Sequence, residues 1–369
     1  MTADFISRGR SLLLLTALLV LYLLFWPVAI DPVAWNAPRN EGLTGSFAPN
    51  DVLASARIID LGAHEGPEDI AGGPDSLIYA STANGDIIRF QADGQGLETF
   101  VNVGGRPLGL EFDQAGNLLV ANSMLGLQRV SPAGEIELLF DRTDNHPFVY
   151  PNDVAVATNG KIYVTQSTSK FTPQNSGSLY DASLLDILEH GGHGDVFEYN
   201  PATGLAKSIM QGINYANGIA ISNDQQYLLI VELASYRVWR YWLQGANAGS
   251  REIIMENIPG FPDNINNGLD GRFWIGLVAP RNELIDVLAD SPLGRKVIQR
   301  LPAFIRPAAV PSSHVISISG NGEILMNLQD TAAHFPAITG VYETRENLYL
   351  STLFGHKLAI FDKANLTDQ

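Results

Sequence analysis

Six segments of the chain share one pattern of hydrophobic and polar positions. Each segment begins with proline or alanine, runs through a short apolar stretch, passes a polar turn and ends in a second apolar run. Short apolar runs joined by turns such as AGN, NGK and DGR are typical of β-hairpins. The segments begin at Pro67, Pro107, Pro151, Ala216, Pro262 and Pro336.

The spacing of these segments predicts the architecture. Successive starts lie 40, 44, 65, 46 and 74 residues apart, and about 40 to 45 residues make one four-stranded propeller blade. Insertions at about 171–193 and 280–312 explain the two long intervals. We therefore predict an all-β, six-bladed β-propeller over residues 55–365. A β-sandwich would not account for six copies of the pattern.

The last repeat is too short for a complete blade. The chain after Pro336 has room for three strands, whereas the apolar segment 56–62 (ARIIDLG) precedes the first repeat and has no partner. We expect this segment to supply the fourth strand of the last blade, which would close the ring and leave no long open edge.

The N-terminus carries a different hydrophobic pattern. Residues 11–30 contain no charge, which is about the length that crosses a bilayer as a helix. Arg8 and Arg10 precede this stretch and Asp31 follows it, so the positive-inside rule predicts a cytoplasmic tail (1–10), a transmembrane anchor (11–30), a linker (31–54) and an extracytoplasmic propeller. The propeller would lie in the periplasm, or in the lumen or exterior of a eukaryotic cell. A cleaved signal peptide is the alternative, but its apolar region is usually shorter and ends in an A-x-A site.

The composition narrows the choice of partners. The formal net charge of -16 argues against nucleic acid, which binds basic surfaces, and is compatible with cation binding. Cysteine is absent, so neither a disulfide nor a thiolate nucleophile or metal ligand is available.

The second residue of each repeat is a candidate for the central channel. Equivalent residues of the innermost strands form a ring in a propeller, and here four of the six carry side-chain oxygens. Carboxylate and amide oxygens without His or Cys favour calcium or magnesium over zinc or copper. We therefore predict one calcium ion in the channel. The six residues are Glu68, Leu108, Asn152, Asn217, Asp263 and Ala337.

The third positions add further polar residues, among them Asp69, Asp153 and Asn264. For Asp69 and Asp153, two alternatives stay open at this point. They bind a second, deeper structural ion, or they cap the local turns.

Several phrases resemble the strictosidine synthase-like branch of the gluconolactonase and regucalcin superfamily. They include GRPLGLEFD (105–113), YPNDVAV (150–156), ANGIAIS (216–222), RVWRYWLQG (237–245) and GFPDNI (260–265), and the resemblance runs from about residue 55 to 363. It implies a six-bladed propeller with calcium in the channel. It also implies the metal ligands Glu68, Asn152, Asn217, Asp263 and Asn264, the last by likeness to the paraoxonase variant.

The resemblance is incomplete at two positions. The second repeat, RPLGLEF, lacks the histidine that paraoxonases use above the calcium ion. The stretch PAITG (336–340) lacks the glutamate with which strictosidine synthase condenses an amine and an aldehyde. The second difference disfavours a condensation reaction.

These observations lead to a calcium-dependent hydrolase of lactones or aryl esters, in which the metal polarises the substrate carbonyl. Asp263 would accept a proton from the attacking water, and Asn152 would hold the ion and orient the substrate. His190, His193 and His314 are alternative general bases. A non-catalytic, membrane-anchored scaffold with structural calcium is the competing hypothesis.

The second insertion has a basic and apolar character that is unusual in this acidic chain. Three interpretations of residues 280–312 stay open: contact with a membrane surface, a lid over the channel, or a solvated helix packed on a blade. The basic residues concerned are Arg295, Lys296, Arg300 and Arg306.

Overall fold

The computed structural model describes residues 2–143 and 148–366, with side chains from residue 11 onward. Six antiparallel sheets of four strands each follow one another around a ring. The predicted six-bladed, all-β propeller is therefore confirmed.

The first three blades use strands that are consecutive in the chain. Blade 1 contains β2 (Ile70–Gly72), β3 (Ile78–Ser81), β4 (Asp86–Phe90) and β5 (Glu98–Asn102). Blade 2 contains β6 (Pro107–Phe112), β7 (Leu118–Asn122), β8 (Gly126–Val130) and β9 (Ile136–Phe140). Blade 3 contains β10 (Pro151–Val156), β11 (Ile162–Gln166), β12 (Gly194–Asn200) and β13 (Leu205–Ile213).

Blades 4 and 5 follow the same rule, and blade 6 closes the ring. Blade 4 contains β14 (Ala216–Ile221), β15 (Tyr227–Glu232), β16 (Arg237–Trp242) and β17 (Arg251–Met255). Blade 5 contains β18 (Gly260–Asn267), β19 (Phe273–Pro280), β20 (Ser313–Ile318) and β21 (Ile324–Asp330). Blade 6 contains β22 (Ile338–Glu343), β23 (Asn347–Thr352), β24 (Lys357–Asp362) and β1 (Arg57–Asp60).

Strand β1 confirms the expected closure. It pairs antiparallel with β24, with Arg57 opposite Ile360 and Asp60 opposite Lys357. The pairing joins the two ends of the propeller by main-chain hydrogen bonds, so the ring opens only if this strand is displaced.

The hydrophobic core lies between the blades. One cluster joins blade 5 to blade 6 through Trp274, Val341 and Phe361, each no more than 1% exposed. Another joins blade 6 to blade 1 through residues such as Tyr349 and Phe90. Inner strands such as β7 and β11 are buried at every position, whereas outer strands such as β5 and β9 are largely exposed.

Hydrogen bonds between a side chain of one blade and the main chain of the next join blades 1 and 2, 3 and 4, and 5 and 6. Asp69 of blade 1 accepts the main-chain N–H of Leu110 in blade 2 at 2.8 Å, and Asp153 of blade 3 accepts that of Ile219 in blade 4 at 2.7 Å. Asn266 of blade 5 accepts that of Val341 in blade 6 at 3.0 Å.

Glycine allows a close approach at two of the other blade junctions, between blades 2 and 3 and between blades 4 and 5. A Cβ on Gly109 would lie 2.2 Å from Asp153 Oδ1, and one on Gly218 would lie 2.2 Å from Ile265 N. Real Cβ atoms do not approach so closely, so these two positions of the inner strands require glycine for packing rather than for a turn.

Both insertions fold into short, capped helices. Between β11 and β12 lie α2 (Pro173–Ser176) and α3 (Leu179–Glu189), the latter capped by the Ser178 hydroxyl. Between β19 and β20 lie α4 (Glu283–Val287) and α5 (Pro292–Arg300), capped by Asn282 and Ser291 respectively. Side-chain oxygens at these caps satisfy main-chain N–H groups of the first turns.

The N-terminal region forms a helix, α1 (Thr2–Phe25), followed by an extended linker. Among the residues whose side chains are described, no helix has both the length and the apolar character required to span a membrane. The linker packs along both insertions: Val33 donates to Glu189 O at 2.9 Å and Trp35 donates to Ala289 O at 3.0 Å.

Candidate metal centre

All six second-position residues line a single cavity of about 800 Å³. They are Glu68, Leu108, Asn152, Asn217, Asp263 and Ala337. The equivalence inferred from the repeats therefore corresponds to a shared location in space. The part of the cavity lined by these six residues is called its floor. Asn264, the fifth predicted ligand, is fully buried and donates through Nδ2 to Glu68 Oε1 at 3.3 Å.

A break in the pairing of the inner strand aims these side chains in blades 2 to 5. The pairing of the inner strand with its neighbour shifts between Pro107 and Leu110, and likewise between Pro151 and Val154. Blades 4 and 5 show the same shift. In these four blades the two skipped residues are the second and third of the repeat, whereas in blade 6 the shift lies between Ile338 and Val341 and skips Thr339 and Gly340. Bulges of this kind re-aim side chains next to functional sites, and in blades 2 to 5 the second residue lines the cavity while the third packs against another blade.

Four of the five predicted ligands carry a buried oxygen without a hydrogen-bond partner. The atoms are Glu68 Oε2, Asn152 Oδ1, Asn217 Oδ1 and Asn264 Oδ1. A buried acceptor left unpaired costs roughly 1–3 kcal/mol, so such groups call for a partner. Four convergent amide and carboxylate oxygens, supplied by four different blades, form a donor set that fits a hard divalent cation such as calcium.

The two carboxyl groups of the floor are hard to ionise without a counter-charge. Burial raises the pKa of Glu68 well above its usual range, and the nearby Asp263 and Asp69 carboxyl groups raise it further. Burial also raises the pKa of Asp263 to about 7, although a hydrogen bond from Asn217 acts in the opposite direction. A divalent cation would offset the repulsion and restore both carboxylates.

Within the described part of the chain, no group of three or more His, Asp or Glu side chains could hold a metal. The floor of the cavity supplies two carboxylates only, and its remaining donors are asparagine amides. A calcium site in proteins often combines these two ligand types.

Asp69 and Asp153 have other partners. Both oxygens of Asp69 accept hydrogen bonds, from Leu110 N and Asn266 Nδ2. Those of Asp153 accept from Ile219 N and Val154 N. Both carboxylates hold neighbouring blades together, and Asp153 also accepts the N–H of the adjacent Val154, which is a local contact. Each oxygen accepts one donor and keeps a further acceptor site, so a second ion at Asp69 and Asp153 stays a prediction.

Three polar residues that line the cavity were not predicted from the sequence. Arg106 is 6% exposed and donates to Gly66 O at 2.9 Å. Tyr150 and Tyr215 bring their hydroxyl oxygens within 2.9 Å of each other. Each of the three directly precedes a repeat (Pro107, Pro151 and Ala216). The residues before the repeats could therefore have been predicted to lie near the cavity, because this position also recurs around the ring.

The three candidate histidines lie outside the cavity lining. His314 contacts Asn327 Oδ1 at 2.8 Å, and burial lowers its pKa to about 4. His190 stacks on Trp35, and burial lowers its pKa to about 3. His193 pairs with Glu189 at 2.6 Å. These contacts are structural, and they leave the carboxylates, the tyrosines and Arg106 as the polar groups next to the floor.

The two insertions form the walls above the floor. Leu184, Leu185 and Leu188 of the first insertion line this cavity together with Ile285 and residues 306–311 of the second. The second insertion therefore contributes to the cavity lining, as the lid interpretation requires.

Two basic residues of the second insertion, Arg295 and Arg300, bind the protein's own main chain, whereas Lys296 pairs with the Asp31 carboxylate. Arg295, 1% exposed, donates to the carbonyl groups of Val33, Leu188, Glu189 and Ala289. Arg300 donates to Trp26 O at 2.6 Å and to Leu23 O at 2.9 Å. These two guanidinium groups are thereby engaged with α1, α3 and the linker.

Fold and site together define a six-bladed propeller with carboxylate and amide oxygens in its central cavity. The family model for strictosidine synthase matches residues 152–246, and that for the strictosidine synthase-like N-terminal region matches residues 45–90. Protein STRICTOSIDINE SYNTHASE-LIKE 6 of Arabidopsis thaliana is 30% identical, over 88% of each chain. The chain belongs to the strictosidine synthase-like family, and the resemblance inferred from its motifs is confirmed.

Two further similarities place the chain more broadly. The adipocyte plasma membrane-associated protein of Bos taurus is 29% identical, over 90% of this chain and 84% of that protein. A gluconolactonase from Xanthomonas campestris has the same fold, with a TM-score of 0.60 and 15% identity over 84% of this chain and 90% of that one. At this identity, the structural likeness establishes the fold alone.

Proposed function

We propose that this protein is a calcium-dependent hydrolase of esters or lactones whose active site is the floor of the cavity. The observation that carries the proposal is the set of four unpartnered buried oxygens, from Glu68, Asn152, Asn217 and Asn264, beside Asp263. A calcium ion held by these residues would polarise a substrate carbonyl and stabilise the negative charge that develops on its oxygen.

The chain's own residues supply the remaining functions. Asp263 accepts a proton from water as the water oxygen bonds to the carbonyl carbon, and the proton passes to the leaving alcohol oxygen when the C–O bond breaks. Asn152 orients the substrate through its amide. Burial raises the pKa of both Tyr150 and Tyr215, so both hydroxyl groups stay protonated. The two hydroxyl oxygens lie 2.9 Å apart, and the hydroxyl of Tyr150 also donates to Leu179 O at 3.5 Å, so the pair forms a fixed polar wall beside the floor.

The test combines metal analysis with turnover. Phenyl acetate and a panel of lactones are assayed with added calcium and with chelator, and bound metal is measured in the same samples. We expect chelation, Asn217→Ala and Asp263→Ala each to lower kcat/KM by about 100-fold or more. Asn159→Ala, an exposed turn residue of blade 3, is the control and should leave metal content and kcat/KM unchanged.

The same experiment addresses the non-catalytic alternative. Stoichiometric calcium that raises the midpoint of thermal unfolding, without turnover of any substrate on the panel, would refute the hydrolase and favour a scaffold. Turnover that survives complete removal of metal would refute the proposed role of calcium.

We further propose that α1 anchors the protein in a membrane, with the N-terminus in the cytoplasm and the propeller on the other side. Support comes from the uncharged stretch 11–30 and from its exposed apolar side chains, such as Leu13 (72% exposed) and Phe25 (71%). A relative whose name describes plasma membrane association points the same way. The protein should resist extraction from membranes by alkaline carbonate, whereas a chain beginning at Trp26 should be released.

A further inference from the structure

The cavity continues well beyond the polar floor. Its volume of about 800 Å³ lies towards the upper end of the range of about 300–1,000 Å³ for small-molecule sites. The floor residues occupy one end, and the two insertions enclose the rest. A substrate that reacts at the floor and has no further extension would leave most of this volume to water.

The walls present mostly apolar surface to this space. Leu184 and Leu185 of α3 and Ile285 of α4 are half-buried, and their remaining exposed surface faces the cavity. At the mouth, Val310 and Phe354 are 58% and 47% exposed. Apolar surface left in contact with water is unfavourable in proportion to its area, so a ligand with a complementary apolar part would gain free energy by covering it.

The walls are also held rigidly in place. Arg295 bonds to Leu188 O and Glu189 O at the end of α3 and to Ala289 O after α4, and so ties the two insertions to each other. A preformed apolar wall binds an apolar chain without first ordering loops, which favours affinity.

We propose that the two insertions form an acyl chamber, and that the preferred substrates are esters or lactones with one long, unbranched apolar arm. The reacting carbonyl lies at the floor, and the arm extends between Leu184 and Leu188 on one side and Ile285 on the other. This inference rests on the proposed hydrolysis and adds to it the chemical class of the substrate.

The chamber lies beside the proposed anchor. Helix α5 contributes Gln299 to the cavity lining, and the next residue, Arg300, bonds to Leu23 O and Trp26 O at the end of α1. A lipophilic substrate dissolved in a membrane would therefore meet the chamber close to the point where the chain leaves the bilayer.

Chain-length selectivity tests the chamber. The ratio of kcat/KM for p-nitrophenyl octanoate to that for p-nitrophenyl acetate should be at least about tenfold in the wild type. Leu184→Asn and Ile285→Asn should each lower this ratio by about tenfold. Val287→Asn is the matched control: it lies on the same helix as Ile285, is 73% exposed and does not line the cavity, so the ratio should not change.

Binding of a non-hydrolysable probe separates the chamber from the hydrolysis. The Kd of dansylundecanoic acid, measured by fluorescence in chelator, should weaken about tenfold in Leu184→Asn and Ile285→Asn but not in Val287→Asn. If no ester is hydrolysed but probe binding follows this pattern, the chamber is supported and the hydrolase is not. Turnover that is independent of chain length, with probe binding equal in all variants, would overturn the chamber and leave the hydrolase intact.

Discussion

Replacement of Asp263 by asparagine should stabilise the metal-free protein and abolish its response to calcium. Asp263 is 5% exposed, and burial raises the pKa of its carboxyl from 3.8 to about 7. The unfolded chain ionises this group near its ordinary pKa of about 3.9. Between about pH 4 and pH 7, the Asp263 carboxyl is therefore protonated in the metal-free folded protein but ionised in the unfolded chain.

The sign and the size of the effect follow from this difference. A pKa raised on folding means that stability falls as the pH rises from about 4 to about 7. A shift of about three units corresponds to a loss on the order of 4 kcal/mol, of which about 2–3 kcal/mol falls between pH 5 and pH 8. Asparagine carries no charge at either pH, so the variant should escape this loss.

Urea unfolding in chelator at pH 5 and pH 8 measures the effect. The free energy of unfolding of the wild type should fall by about 2–3 kcal/mol more than that of Asp263→Asn between these pH values. Asp263 also raises the pKa of Glu68, so removing its charge eases the ionisation of Glu68 in the variant and changes the difference in the same direction. Glu256→Gln, a change at an exposed carboxyl, should retain the wild-type slope. Equal slopes for wild type and Asp263→Asn would refute the electrostatic description of the floor.

Three further predictions concern the framework around the site. Asp153→Ala leaves the buried N–H groups of Ile219 and Val154 unpaired and should lower the free energy of unfolding by about 2–4 kcal/mol in urea titrations. Gly218→Ala places a Cβ against the neighbouring blade and should cost about 3 kcal/mol in the same assay, with a calcium affinity weakened in parallel because Asn217 is adjacent. Arg295→Met removes the hydrogen bonds to four carbonyl groups, so limited proteolysis should cut within the linker (31–54) faster than in the wild type. For each of the three variants, a value equal to that of the wild type would contradict the role assigned to the contact that the variant removes.

The ring of blades and the location of the second-position residues could be predicted because both depend on repetition. Equivalent positions of a repeat occupy equivalent places in a propeller, so the phase of the pattern was sufficient to bring Asn152 and Asn217 to one cavity. The closing strand was predictable for a related reason: the last repeat lacked one strand, and one apolar segment lacked a partner.

Features that depend on contacts between blades were not predictable in the same way. Asn-Gly at 217–218 reads as a turn in a single strand, but the structure shows that Gly218 admits the backbone of blade 5. Similarly, Asp153 reads as a ligand or a cap, and its partner Ile219 lies 66 residues away. The walls of the cavity come from the insertions, which have no repeat to indicate their position.

The most direct test of the central claim is a crystal structure of the protein grown with calcium, with anomalous scattering used to locate the ion. One peak should lie on the floor of the cavity, about 2.3–2.6 Å from side-chain oxygens of Glu68, Asn152, Asn217 and Asp263, with Asn264 completing or directly supporting this set. A floor without a peak at saturating calcium, or an ion bound elsewhere with these oxygens still unpartnered, would contradict the account.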